Sequence, residues 1–198
     1  MSQSLRTTAM IFLHGSGGNG MQLKAFFEGV PFKELGDRIV TFREAAEYNF
    51  IDIYTPSAAL MPYSPAMGLP MSVWFDRSSS FNLLGRGDQF EDLQGIDDSI
   101  AKMLDFIADL SDEYDAIIIG GFSQGGSLCL NLARYLEQLP EKVLGIFAMG
   151  SYLIESSSVF QQPGRMTEVE LETHLGDQKN TRKMPLLMMH GNSDLLPY

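Results

Sequence analysis

The sequence is poor in three things, and each shortage excludes a class of protein. Cysteine occurs once in 198 residues, as Cys129. An intramolecular disulfide and a cysteine-based zinc site are both excluded, and no metal or cofactor is expected. Basic residues are scarce: 14 Lys and Arg stand against 25 Asp and Glu, for a formal net charge of −11. Nucleic acid is not expected as a partner, because phosphate binding needs clustered cations. An anionic membrane surface would repel the chain, although a local apolar patch could still touch lipid. Long apolar runs are missing too. Met1 to Arg6 is polar, and the first apolar stretch, Met10 to Leu13, is too short for a signal-peptide core or a membrane span. The expectation is a soluble, cytoplasmic protein without stable membrane insertion.

What is present suits one globular domain over residues 1–198. The chain is 44% hydrophobic and 20% charged, enough apolar material for a core and too much for disorder. No internal repeat, charge block or low-complexity linker interrupts it. Short apolar runs alternate with amphipathic stretches. Ala9 to Leu13 predicts a strand ending in the glycine-rich turn His14 to Gly20, and Phe50 to Tyr54 a second strand stopped by Pro56. Ala116 to Ile119, Val143 to Met149 and Leu186 to Met189 are apolar in the manner of parallel strands buried on both faces. From Glu91 to Leu110 the residues Leu93, Ile96, Ile100, Met103, Leu104, Ile107 and Leu110 fall on one helical face, with Glu91 and Asp92 at the favourable N-terminal end. A further helix is predicted over Gln124 to Gln138, stopping before Pro140. The pattern predicts an α/β fold, a mainly parallel sheet with helices on both faces. Glu155 to Lys183 is polar and turn-rich, and suits a surface excursion with a short helix around Thr167 to His174.

One motif carries chemistry. Gly121-Phe122-Ser123-Gln124-Gly125 fits G-x-S-x-G, a pattern that chance supplies in roughly one chain in ten to twenty of this length. Its place is more specific than its letters. It follows the Ala116 to Ile119 strand and precedes an amphipathic helix, as a nucleophile elbow requires. The glycines let a sharp turn form without collisions, lifting Ser123 Oγ off the sheet edge and setting the Gln124 N–H at a helix N-terminus. The bland alternative is a glycine-rich turn with an N-capping serine. After the first strand, Leu13-His14-Gly15-Ser16-Gly17-Gly18 is an HG-type turn, where a second oxyanion donor belongs, here the Ser16 N–H. His14 reads as a loop-shaping residue rather than a base. Asp194 follows the Leu186 to Met189 strand, where the acid of a Ser, Asp, His order belongs; the alternative is a turn aspartate bonding its own backbone. Cys129 reads as a small buried apolar residue.

Taken in order, Ile11-Phe12-Leu13-His14-Gly15-Ser16-Gly17, Ser72-Val73-Trp74-Phe75-Asp76, Glu91-Asp92 with Gly95-Ile96, Gly120 to Gly126, and His190-Gly191 with Asp194 resemble the phospholipase/carboxylesterase family. That family includes the acyl-protein thioesterases, and the likeness is closest to its lysophospholipase-like branch. The resemblance implies an α/β-hydrolase fold and a metal-free hydrolase of carboxylic esters or thioesters, with S-acylated proteins or small acyl esters as substrates. Ser123 and Asp194 would be catalytic, with the Ser16 and Gln124 amides as the oxyanion hole. Trp74 would line the acyl pocket, or else simply fill the core.

The departure from the family is at the end of the chain. After Asp194 only four residues follow, where the family adds a final strand, the catalytic histidine and a closing helix. His14, His174 and His190 do not replace that histidine convincingly. The expectation is therefore a hydrolase domain incomplete at its C-terminus and impaired in turnover. In a well-studied serine protease, losing the histidine costs about 2 × 10⁶ in turnover, or roughly 8–9 kcal/mol. Leu186 to Met189 is expected to be an exposed apolar edge. Two other functions stay open: a non-catalytic relative that binds acyl groups or acylated proteins, and a short-chain carboxylesterase acting on small molecules.

Overall fold

A computed structural model of the chain describes residues 7–35, 38–77, 92–152 and 184–189. In chain order the elements are β1 (Thr8–Leu13), α1 (Gly20–Gly29), β2 (Pro31–Leu35), β3 (Arg38–Thr41), α2 (Phe42–Tyr48), β4 (Ile51–Tyr54), β5 (Leu60–Tyr63), β6 (Leu69–Ser72), α3 (Leu93–Glu113), β7 (Ala116–Phe122), α4 (Gln124–Leu132), β8 (Val143–Met149) and β9 (Leu186–Met189). The apolar runs pair into one five-stranded sheet, in the order β4-β1-β7-β8-β9, with every neighbouring pair parallel. β2–β3 and β5–β6 form two separate antiparallel pairs. No helix among the described residues is long and apolar enough to cross a membrane.

Alternation along the strands assigns the two faces. Ala9, Ile11 and Leu13 of β1, with Ile117 and Ile119 of β7 and Ile146 of β8, pack against α3 and α4. These helices contribute Ile96, Ile100, Met103 and Ile107, and Leu128, Cys129 and Leu132. Burying each Leu or Ile side chain stabilises the fold by about 1.5–3 kcal/mol. On the opposite face Phe12 meets Phe27 of α1 edge to face at 5.3 Å and Phe147 of β8 at 5.7 Å. Phe42 of α2 lies 4.9 Å from Phe27. Helices thus cover both faces, as the sequence predicts.

Two predicted strands differ by one residue, starting at Thr8 and Ile51 rather than Ala9 and Phe50, and three elements differ by more. The helix expected from Glu91 begins at Leu93, because Asp92 is its N-cap and accepts from the Gly95 N–H at 3.0 Å. The strand expected to stop at Ile119 continues through Gly120, Gly121 and Phe122. Gly120 stays in the ladder because the Phe147 ring lies over it: a Cβ there would sit 2.0 Å from Phe147 Cζ. The helix expected to reach Gln138 ends at Leu132 and tightens into a 3-10 turn, Ala133–Tyr135. Beyond it the Gln138 and Leu139 amides both bond the Tyr135 carbonyl, which brings Leu139 back to the core at 4% exposure. The excursion expected over Glu155 to Lys183, together with Glu91, lies outside the described residues.

β9 differs from the inner strands. It pairs with β8 at the end of the sheet that the described residues form, and its four residues are 38–55% exposed. By contrast Ala9 to Leu13 of β1 are all buried.

Candidate active site

Two strand ends build the site. β1 and β7 are parallel neighbours with Leu13 opposite Gly121, so the turns that leave them emerge at the same edge of the sheet. At the end of β7 the chain reverses into α4 through Ser123, with φ 52° and ψ −120°. A side-chain-bearing residue held there stores about 1–3 kcal/mol of strain, which the surroundings must over-determine. They do so through the backbone. The Ser123 N–H donates to the Met149 carbonyl at 3.0 Å, and its carbonyl accepts from the Ser127 N–H at 3.0 Å and from Ser151 Oγ at 2.9 Å.

The flanking glycines are required by contact. A Cβ at Gly121 would lie 2.5 Å from the Gly125 carbonyl carbon, and one at Gly125 would lie 2.5 Å from the carbonyl oxygens of both His14 and Leu13. The start of α4 therefore rests directly on the end of β1. Gly15 completes the approach, since a Cβ there would be 3.2 Å from Ser123 Cβ. Ser123 occupies the N-cap position but makes no side-chain capping bond. The capping alternative fails on that geometry, and among the described residues the hydroxyl has no hydrogen-bond partner.

Gln124 is the first residue of α4, where an N–H has no intrahelical acceptor. The Ser16 N–H likewise has no backbone acceptor among the described residues, whereas its neighbours Gly17 and Gly18 donate to Ser72 and Gly15. The Ser16 hydroxyl accepts from Tyr63 Oη at 3.3 Å. The structure thus brings Ser16, Ser123 and Gln124 to one place. Asp194, and with it His174 and His190, lies outside the described residues.

His14 is fully occupied. It is 1% exposed; its Nδ1 bonds the Gly15 carbonyl at 2.7 Å, and its Nε2 accepts from the Ala58 N–H at 3.0 Å. That pair of bonds defines a neutral imidazole with the proton on Nδ1. Burial lowers its pKa below the ordinary value, against the raising effect of the Gly15 bond. A histidine with both nitrogens engaged and its charge disfavoured shapes the turn and cannot take a proton from Ser123.

Trp74 is 6% exposed and belongs to the core cluster. Its ring lies 5.1 Å from that of His14, and its Nε1–H donates to the His14 carbonyl at 2.8 Å. The Gln124 side chain, 1% exposed, accepts from the Trp74 N–H at 3.0 Å and donates to the Phe75 carbonyl at 2.8 Å. The sequence motif draws attention to the Gln124 backbone alone. The one available signal for the side chain is a long polar residue at a helix start that packing would otherwise make apolar.

Residues 2–196 match the family model described as phospholipase/carboxylesterase. Lysophospholipase-like protein 1 of Mus musculus is 30% identical over 172 residues, which cover 85% of this chain and 65% of that protein. Acyl-protein thioesterase 1 of Debaryomyces hansenii is 28% identical over 191 residues, covering 94% of this chain and 69% of its own length. The chain thus spans about two thirds of the length of these curated relatives. Among solved structures, Zea mays acyl-protein thioesterase 2 superposes with a TM-score of 0.62 at 20% identity, over 96% of this chain and 73% of its own. Arabidopsis thaliana SOBER1 gives 0.65 at 21% identity, over 94% and 75%. At such identity the structures speak for the fold, which is that of the α/β-hydrolases. The turn geometry at Ser123 and the match along nearly all of its length agree: the chain belongs to the phospholipase/carboxylesterase family.

Proposed function

We propose that this chain is a serine hydrolase of carboxylic esters or thioesters, with Ser123 as nucleophile. The conformation of Ser123 carries the reading: a positive φ on a serine at a strand-to-helix turn, with no capping bond to occupy its hydroxyl. Strain of this kind is retained where it positions a reacting atom.

In the proposed reaction Ser123 Oγ bonds to the acyl carbon and its proton goes to a base. The carbonyl oxygen becomes an oxyanion, facing the N–H groups of Ser16 and Gln124. Collapse breaks the bond to the leaving thiolate or alkoxide, which takes up a proton, and water then cleaves the acyl-serine. Asp194 is the proposed acid that would orient the base. Trp74, behind the Ser16 turn, is proposed to back the acyl pocket. The relatives named acyl-protein thioesterase support an S-acylated protein as substrate. A short-chain carboxylesterase predicts the reverse preference across a series of acyl esters, with long chains rejected.

The described residues offer no free imidazole to act as that base. His14 is occupied by Gly15 and Ala58. Turnover by this chain is therefore proposed to be impaired, and this favours a second function, retention of acyl groups or acylated proteins without hydrolysis. A cysteine thiolate leaves as the base of a group with pKa about 8.5, so it needs less help from a general acid than an alkoxide does. Residual activity should accordingly favour thioesters.

The test is labelling of the folded 198-residue chain with a fluorophosphonate, beside Ser123→Ala. Labelling lost in the variant would establish an activated Ser123 and refute the impairment. A folded chain that stays unlabelled would support impairment and move attention to acyl binding.

A further inference from the structure

We propose that the Gln124 side chain is a positioning residue, holding the two oxyanion-donating turns in fixed relation through Trp74 and His14. The proposal deepens the hydrolase reading above and rests on it.

The two proposed donors belong to different parts of the chain. The N–H of Gln124 starts α4, while that of Ser16 lies in the turn after β1. Their useful geometry depends on the distance between these turns, and a misplacement of about 1 Å can cost about 10²-fold. Packing alone brings the turns together, since Gly125 abuts the carbonyls of Leu13 and His14. Contact of that kind limits approach but resists sliding weakly. Directional bonds supply what contact lacks.

Those bonds form a continuous strap. Gln124 Oε1 accepts from the Trp74 N–H at 3.0 Å while its Nε2 donates to the Phe75 carbonyl at 2.8 Å, so both ends of the amide are fixed. Trp74 Nε1–H then donates to the His14 carbonyl at 2.8 Å, and the indole packs on the imidazole at 5.1 Å. His14 in turn bonds the Gly15 carbonyl at 2.7 Å, next to Ser16. The segment carrying Trp74 is itself held, because Ser99 Oγ donates to the Trp74 carbonyl. Gln124, Trp74 and His14 are 1%, 6% and 1% exposed, so water does not compete for these bonds. A methionine at 124 fills the same space and makes neither bond. A glutamate keeps the acceptor for Trp74 but turns an oxygen toward the Phe75 carbonyl.

An alkylboronic acid tests the strap without needing a base for turnover. Its boron, open to a lone pair, bonds Ser123 Oγ; the serine proton passes to solvent, and the tetrahedral boronate anion presents an oxygen to the oxyanion donors. ¹¹B NMR reports the tetrahedral adduct, and titration gives its affinity. The expected result is adduct formation by the wild type, abolished in Ser123→Ala. Gln124→Met should weaken it about tenfold or more, and Gln124→Glu at least as much, because it sets an oxygen against the buried Phe75 carbonyl. Trp74→Phe, which removes the indole bond and keeps an aromatic ring, should weaken it severalfold. Combining it with Gln124→Met should add little, because both break one strap.

Circular dichroism confirms folding in each case, and Trp74→Phe decides should the Gln124 variants not fold. Folded variants that bind as the wild type does would overturn the strap and leave the nucleophile reading standing. A folded wild type that forms no adduct, or one indifferent to Ser123→Ala, would overturn both.

Discussion

β1 and β9 have similarly apolar sequences and opposite fates. Ala9 to Leu13 are buried between α3 and α4 on one side and α1 on the other, while Leu186 to Met189 are 38–55% exposed. Both belong to the same parallel sheet. The difference lies in their neighbours: β1 is flanked by β4 and β7, and β9 pairs with β8 at the end of the described sheet. A run of aliphatic residues encodes a demand for two covered faces and two partners. Whether the demand is met depends on the rest of the fold. The proposed site sits at the well-supported end, because a strained turn persists only where its surroundings over-determine it.

The largest effect should come from the turn that joins β7 to α4. Gly125→Ala drives a methyl against the carbonyls of Leu13 and His14, neither of which is the flexible end of a side chain. A loss of about 3 kcal/mol is expected in urea unfolding. An unchanged midpoint would mean that β1 and α4 are not in contact there. In the core, Ile119→Ala should cost about 2 kcal/mol, at the lower end of the usual range for a buried aliphatic residue. Leu187→Ala on β9 should cost less than about 1 kcal/mol by the same assay, and equal losses would erase the contrast between the strands.

His14 provides a pH test of the same buried end. Its folded pKa lies below the ordinary value, mainly through burial. Below about pH 6.5 the unfolded chain takes up a proton that the folded chain resists, so stability is full above that value and declines as the pH falls toward the folded pKa. His14→Gln should show a shallower decline from about pH 6.5 to 5, read from urea midpoints. Parallel profiles for variant and wild type would mean that His14 titrates freely. The smallest thermodynamic effect is expected for Leu187→Lys on β9, within about 0.5 kcal/mol. Its main result should be less association in light scattering, because a charge blunts an apolar edge.

The sheet strands were legible because each is a short, nearly uninterrupted apolar run. α3 was legible because seven apolar residues share one face. α1, α2 and the two antiparallel pairs were not. α2 has seven residues, too few for a periodic pattern, although Thr41 and Glu44 form a capping box that a local reading can find. β5 and β6 each include a proline, Pro62 and Pro70, which argues against a strand until the two are seen paired with each other. Of the candidate site, Ser123, Gln124 and Ser16 are picked out by glycine spacing beside strand ends, and their turns leave the same edge of the sheet. The buried role of the Gln124 side chain was not, because its partners at 74 and 75 are about fifty residues away in sequence.

The sequence by itself determined the parallel α/β plan, the elbow at Ser123 and the membership of a hydrolase family. The plan depends on local periodicity, the elbow on a glycine pattern between a strand and a helix, and the family on motifs in a fixed order along the chain. Tertiary structure decided which apolar strand is covered and which is exposed. It also decided that His14 is a neutral turn-former, and that one amide side chain ties two distant turns together. Each is a matter of which groups meet across the fold, and hydrogen-bond satisfaction and burial are properties of that meeting rather than of any single residue.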